Sequence, residues 1–261
     1  MRRRLASPSS TGSPTAAHDD AGDARLPDLL AALEALGETP LVRAERTWSK
    51  RDLDDCDRLL LRVKTAGLDG GVGLGQAYDR SRACGTCGAG AVPLPPLVAD
   101  LPRMGRKHID ATAHDGLLVA SAALADALVA EGVTGLAVEP VRSRSARYPA
   151  DAHRWLRVLW EWPPCRADSV IHRDRVCAEC GRSGHYDTFG AHTELRYDAV
   201  PADACDCGRS WEYWGLWQGP PPGARVGGAQ QVIVSQRVRA TFARVGVRRI
   251  AFEPVVVGNA G

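Results

Sequence analysis

Leu117-Leu-Val-Ala-Ser121 opens a stretch that closes on Gly135-Leu-Ala-Val-Glu-Pro-Val141. The same outline returns at Val232-Ile-Val-Ser235 and closes on Arg249-Ile-Ala-Phe-Glu-Pro-Val255. At an offset of 114 the two align without gaps. Ser121 matches Ser235, Gly132 matches Gly246, Val133 matches Val247 and Ala137 matches Ala251, while Glu139-Pro140-Val141 matches Glu253-Pro254-Val255. Each copy predicts a strand, a helix and a second strand, with helices over Ala122 to Glu131 and Gln236 to Val245. Each serine stands where a helix needs an N-cap, and each glycine where it needs a C-cap. Leu124 and Leu128 in one copy, and Val238 and Phe242 in the other, form the predicted buried faces.

A cysteine turn lies upstream of each copy. The first reads Cys84-Gly-Thr-Cys87-Gly88 and the second Cys177-Ala-Glu-Cys180-Gly181, at an offset of 93. Two thiolates three residues apart aim at one metal ion, and the following glycine permits a positive φ. The repeated unit is therefore a zinc knuckle followed by strand, helix and strand. The second unit holds 21 additional residues between knuckle and strand. We assign them to Cys205-Asp-Cys207-Gly208 through the aromatic run Trp211, Tyr213, Trp214 and Trp217, and to Pro220-Pro-Pro222. Residues His153 to Trp162, bounded by Pro163-Pro164, read as a linking strand.

The expected fold class is α+β, an internal duplication with an N-terminal helical extension. Residues 1–24 are rich in Ser, Thr, Pro, Ala and Asp and are expected to be disordered. Residues 25–80 form the helical extension, 81–145 the first unit, and 146–261 the linking strand and second unit. One helix is expected from Pro27 to Leu36, stopped by Gly37. A second follows Ser49 with Leu53, Cys56, Leu60 and Val63 near helical spacing, closed by Gly67. The glycine-rich Asp69–Gly75 lacks the Lys-Ser/Thr of a phosphate loop and reads as a flexible linker.

The composition narrows the chemistry. The chain has 261 residues, 44% of them hydrophobic, and a net charge of +2, with 30 Arg against 3 Lys. No bulk field favours nucleic acid or a membrane surface, and no stretch approaches the ~20 apolar residues of a membrane span. The basic start, Met1-Arg-Arg-Arg-Leu-Ala, has no apolar core behind it and is not read as a secretory signal. Eight cysteines without such a signal point to a reducing, cytoplasmic setting and to metal ligation.

Two ligand sets fit. In one, Cys84, Cys87, Cys177 and Cys180 share an ion across the two units. In the other, Cys177 and Cys180 pair with Cys205 and Cys207 as a zinc ribbon, and the first turn finds His108 or His114. Either is a closed structural site. Zinc is the expected ion, and the same sulfur set accepts iron as in a rubredoxin-like electron carrier. Cys56 and Cys165 read as small buried or incidental thiols, and His185 and His192 as loop residues. Neither H-E-x-x-H nor G-x-S-x-G is present, so no enzyme is expected. Trp211, Tyr213, Trp214 and Trp217 could form either core beneath the insertion or a partner-binding patch.

Two C-x-x-C-G motifs, each upstream of a segment such as Leu117–Val141, resemble the myxobacterial double-CXXCG motif proteins. The resemblance covers roughly residues 84–256 and matches Cys84, Cys87, Cys177 and Cys180 as the paired motif. It implies a cytoplasmic immunity protein that binds and neutralises a cognate swarming-inhibition toxin. The alternative from another class is a zinc-ribbon nucleic-acid-binding or regulatory protein.

Overall fold

The computed structural model describes residues 2–6, 16–20, 28, 31–32, 35–36, 41–45, 47–64, 67–101, 104, 107–113, 115–144, 151–169, 171, 176–182, 184–185, 194–214 and 229–258. The chain divides into two units, Met1–Ser49 with Asp187–Thr193, and Lys50–Tyr186 with Glu194–Gly261. The first holds strands β1 (Arg2–Ala6), β2 (Ala16–Asp20) and β3 (Leu41–Glu45), with β1 antiparallel to both others. These strands stand partly where a disordered tail was expected. Of the helix expected from Pro27, Asp28, Ala31, Ala32 and Ala35 are helical. Pro27, Leu29, Leu30 and Leu33 lie outside the described residues.

The second unit begins with helix α1 (Lys50–Asp54) and strand β4 (Arg58–Val63), then a 3-10 turn at Gly71–Leu74. A two-stranded ribbon follows, β5 (Tyr78–Asp79) with β6 (Val92–Pro93), and brackets the first cysteine turn. Next come β7 (Leu97–Ala99), β8 (Ile109–Ala111), β9 (Leu118–Ser121), α2 (Ala122–Ala130), β10 (Leu136–Ser143) and β11 (His153–Val158). Then follow β12 (Trp160–Glu161), β13 (Gly184–His185), β14 (Arg196–Tyr197) and β15 (Cys207–Trp214). The unit ends with β16 (Ala229–Ser235), α3 (Gln236–Val245), β17 (Ile250–Pro254) and β18 (Val256–Val257).

Two sheets carry this unit, and the strands around each helix pair in the same way. In one sheet the order is β7-β10-β11-β9-β8. Strands β9 and β10 are joined by α2 but do not touch, because β11 lies between them, antiparallel to both. In the other, the order β12-β15-β16-β4-β17 puts β4 between β16 and β17, again antiparallel to both. Strand β8 flanks β9 through Ile109↔Ala120, and β15 flanks β16 through Cys207↔Val234. Strand β7 runs parallel to β10, as β14 does to β18. Helices α2 and α3 pack on each other. Their apolar faces (Leu124, Ala125 and Leu128; Val238 and Phe242) meet inner-sheet residues such as Leu59, Leu61, Ile109, Leu156 and Cys207 in one core.

The central strands come from the opposite halves of the sequence. Strand β4 precedes the first cysteine turn yet completes the sheet of α3, and β11 precedes the second turn yet completes the sheet of α2. Both end in Leu-Arg-Val, at 61–63 and 156–158. Arg62 reaches Glu253 at 3.3 Å, and Arg157 reaches Glu139 at 2.8 Å, the glutamates of the two Glu-Pro-Val motifs.

Several expectations are corrected here. The helix after Ser49 ends at Asp54, and Leu60 and Val63 belong to β4, so among the described residues of 25–80 strands and turns outweigh helix. Leu59 and Leu61 face one core and Leu60 another, an alternation that only a two-sided central strand satisfies. The Asp69–Gly75 segment is not a free linker. Leu68 bridges Thr112, Gly70 bridges Ala99, and a Cβ on Gly71 would run into the Asp115 carboxylate. Nor does the insertion begin at Cys205. Cys207 pairs as Ile109 does, at an offset of 98, so the additional residues split. A few lie between the second turn and β14, and most lie within the β15–β16 hairpin. Ser121 caps α2 through Leu124 N–H at 3.3 Å, but Ser235 instead donates to Asp206 Oδ1 at 2.7 Å.

Candidate metal centre

The two cysteine turns have the same backbone. In the first, Gly88 N–H donates to Cys84 O at 2.9 Å and Cys84 N–H to Ala89 O at 2.8 Å. In the second, Gly181 N–H donates to Cys177 O at 2.9 Å and Cys177 N–H to Arg182 O at 2.8 Å. The closing glycines have φ of 71° and 69°, which a side chain would disfavour. Such turns leave both sulfurs of a pair on one side, free of the backbone hydrogen bonds that close the loop.

The turns face each other. The sulfurs of Cys84, Cys87, Cys177 and Cys180 all lie within 4.8 Å of one another. Equivalent residues meet across the junction, with Cys84 Sγ 3.8 Å from Cys177 Sγ and Cys87 Sγ 3.5 Å from Cys180 Sγ. A tetrahedral ion with metal–sulfur bonds of about 2.3 Å needs sulfur–sulfur edges of about 3.8 Å. The two facing separations, 3.8 and 3.5 Å, lie close to that edge, and all four thiols are free of disulfides. The four cysteines can therefore hold one metal ion. Between them Thr86 and Glu179, which hold the same place in each turn, also pair. The Glu179 carboxylate accepts Thr86 N–H at 3.1 Å and Thr86 Oγ1–H at 2.5 Å.

Local fields at the thiols differ. Burial pushes Cys177 up, but the N–H groups of Cys180 and Glu179, together with the facing thiols of Cys87 and Cys180, outweigh it and hold the thiol below its ordinary value. Burial drives Cys87 and Cys180 upward. Metal ligation requires thiolates, so a bound cation would favour the deprotonated form of its ligands.

Tyr213 belongs to the buried cluster around the sulfurs, and Arg182 lies over its ring at 5.6 Å. Tyr213 packs with Cys87, Ala89 and Cys177, and Cys84 and Cys180 border the same cluster. Arg182 stacks over Trp211 at 5.1 Å and holds Glu161 through bonds of 2.7 and 3.0 Å. Neither Arg182 nor Glu161 stands out in the sequence. Thr86 and Glu179 were findable, as the facing residues of two superposable turns.

The other candidates lie elsewhere. Cys205 and Cys207 are not part of the cluster, so the zinc-ribbon pairing is replaced by the pairing across the two turns. Cys207 is a core residue at the place of Ile109, and burial pushes its thiol up to about 12. Cys205 Sγ sits 3.8 Å from Asp203 O. Cys165 is buried beside Trp162 and Tyr197, and Cys56 borders the helix core. His108 Nδ1 sits 3.0 Å from Ser121 Oγ, not in the thiol group. His114, His192 and Trp217 lie outside the described residues, as do the side chains of His185 and Trp214. Tyr213 is 7% exposed, which corrects its assignment to an open partner-binding patch. Trp211 is half-buried beneath Arg182.

A partly open cavity of about 80 Å³ adjoins the cluster, lined by Ala91, Asp115, Trp155, Arg157, Arg209 and Tyr213 among others. Among the described residues no helix is long and apolar enough to cross a membrane. The chain matches no protein-family model and no curated protein.

Proposed function

We propose that the protein is a non-catalytic binding protein stapled by one structural zinc ion, and that it neutralises a cognate protein toxin by occlusion. The two halves are inferred to be copies of one unit, each contributing one zinc knuckle. The observation that carries the metal reading is the approach of four thiols from turns 93 residues apart to within 4.8 Å. Four sulfur ligands fill a tetrahedron and leave no position for a substrate. The ion then acts on folding, with a binding free energy on the order of 10 kcal/mol. Zinc is preferred to iron for a large, nearly neutral chain, although the sulfur set suits both. The thiols imply a reducing compartment, and the cytoplasm is the proposed one.

The toxin reading rests on the paired C-x-x-C-G motifs and their resemblance to immunity proteins. Trp211, Trp214 and Trp217 are the proposed anchors, since tryptophans dominate interface hot spots. The test is co-expression with a toxin encoded in the neighbouring open reading frame. Survival of the cells and co-elution of the two chains on a sizing column are expected. Killing without a complex removes the reading. Retention of DNA or RNA on a filter, falling steeply with salt, would favour the nucleic-acid alternative instead.

A further inference from the structure

We infer that Tyr213 is the positioning residue that assembles the two cysteine turns into one metal site. The inference rests on the metal reading above. Four ligands that arrive on two remote turns must be held near their final geometry before the ion binds, or ordering them subtracts from affinity. Besides the Thr86–Glu179 pair, the Tyr213 side chain on β15 reaches both turns. The Tyr213 hydroxyl accepts Gly90 N–H at 2.9 Å, two residues beyond the glycine that closes the first turn. Its ring lies 5.6 Å from the Arg182 guanidinium, and Arg182 is the residue whose carbonyl closes the second turn. Tyr213 shares one buried cluster with Cys87 and Cys177, one cysteine from each turn.

The sheet is built to fix Tyr213 there. The β15–β16 register shifts between Arg209 and Tyr213, where β15 advances four residues against two of β16. Such a bulge re-aims the strand that carries it. It is pinned from within. Ser210 Oγ–H donates to Glu212 O at 2.8 Å and accepts Gln231 N–H at 3.0 Å. Glu212 Oε1 accepts Cys165 N–H at 2.7 Å. Ser210 and Glu212 are 0% and 1% exposed. Arg182 is fixed in turn by Glu161, which also accepts Gln230 Nε2–H at 2.8 Å. Gly90 has φ of 91°, and a Cβ there would lie 2.9 Å from Arg82 O, so the N–H that meets Tyr213 sits on a tightly specified backbone.

The test is Tyr213→Phe in the full chain, which removes only the hydroxyl. Zinc affinity is measured by competition with a chelator, and the cobalt-substituted protein supplies a ligand-field spectrum. Loss of such an outer-shell partner lowers metal affinity about 10-fold or more. A drop of that size, with a shifted cobalt spectrum and retained far-UV circular dichroism, is expected. Arg182→Gln, which leaves Tyr213 in place, is expected to weaken affinity in the same direction and serves if Y213F does not fold. Wild-type affinity and an unchanged cobalt spectrum in the folded variants would overturn the inference while leaving the metal reading intact. A reduced wild-type chain that takes up neither zinc nor cobalt would overturn both.

Discussion

Cys207 and Cys177 carry the same thiol, and their neighbours give them different work. Cys207 fills a core position that Ile109 fills in the other sheet, whereas Cys177 faces three further sulfurs. Cys207→Val is therefore expected to leave metal content unchanged and stability within about 1.5 kcal/mol of wild type. Cys177→Ser, nearly isosteric, is expected to lose the ion. Elemental analysis with denaturant titration checks both. His153 is a second residue defined by burial. Burial and then the charge of Arg154 hold its imidazole below the ordinary range, and its Nδ1 has no hydrogen-bond partner. The unfolded chain therefore binds this proton first. Stability from this group is present above the unfolded pKa of about 6.5 and is lost as pH falls below it. The denaturation midpoint is expected to drop from pH 7.5 to pH 5.5, and to drop less in His153→Gln.

Among the elements, the two strand–helix–strand segments were legible because several local signals agree there. Apolar runs, a capping serine, a helical stripe and a closing glycine all recur at one offset. Strand β4 was not legible. Leu53, Cys56, Leu60 and Val63 fit a helical period as well as they fit packing against a sheet. The strand partners that decide between them lie some 170 residues or more away, at Val232–Ser235 and Ile250–Pro254. The Leu-Arg-Val repeat that links β4 to β11 is too short to notice without the pairing. The loop after α2 fits tightly against the start of β15. Gly135 has φ of 82°, and a Cβ there would run into the Cys207 carbonyl and lie 2.5 Å from Cys205 Cβ. That backbone is held by Cys207 N–H to Thr134 O at 3.0 Å and by Asp206 with Thr134. Gly135→Ala is expected to destabilise by about 3 kcal/mol, since it adds left-handed strain to a backbone clash. Arg249, which aligns with Gly135 at the offset of 114, has φ of 61°. Arg249→Gly is expected to stabilise by up to ~1 kcal/mol, the relieved strain less the added chain entropy. Thermal unfolding of the two variants checks the contrast.

For the whole molecule, β4 and β11 each complete the sheet of the helix from the other half, and each cysteine turn supplies two sulfurs to one cluster. The spacing of single motifs could not choose between a local ribbon and a shared site, because Cys205 and Cys207 also stand at ribbon distance from the second turn. The equal spacing of the two turns favours the shared site. It brings Cys84 to Cys177, Cys87 to Cys180 and Thr86 to Glu179, all pairs at the same offset of 93. The aromatic insertion was least legible, since its strand bends at a bulge that only the buried Ser210 and Glu212 explain. The most direct test of the shared site is metal content combined with X-ray absorption on the reduced protein. One zinc per chain with four sulfur neighbours at about 2.3 Å is expected, lost on substitution of any one of Cys84, Cys87, Cys177 or Cys180. A folded chain without metal, or a metal shell containing nitrogen or oxygen in place of any of these sulfurs, would contradict it.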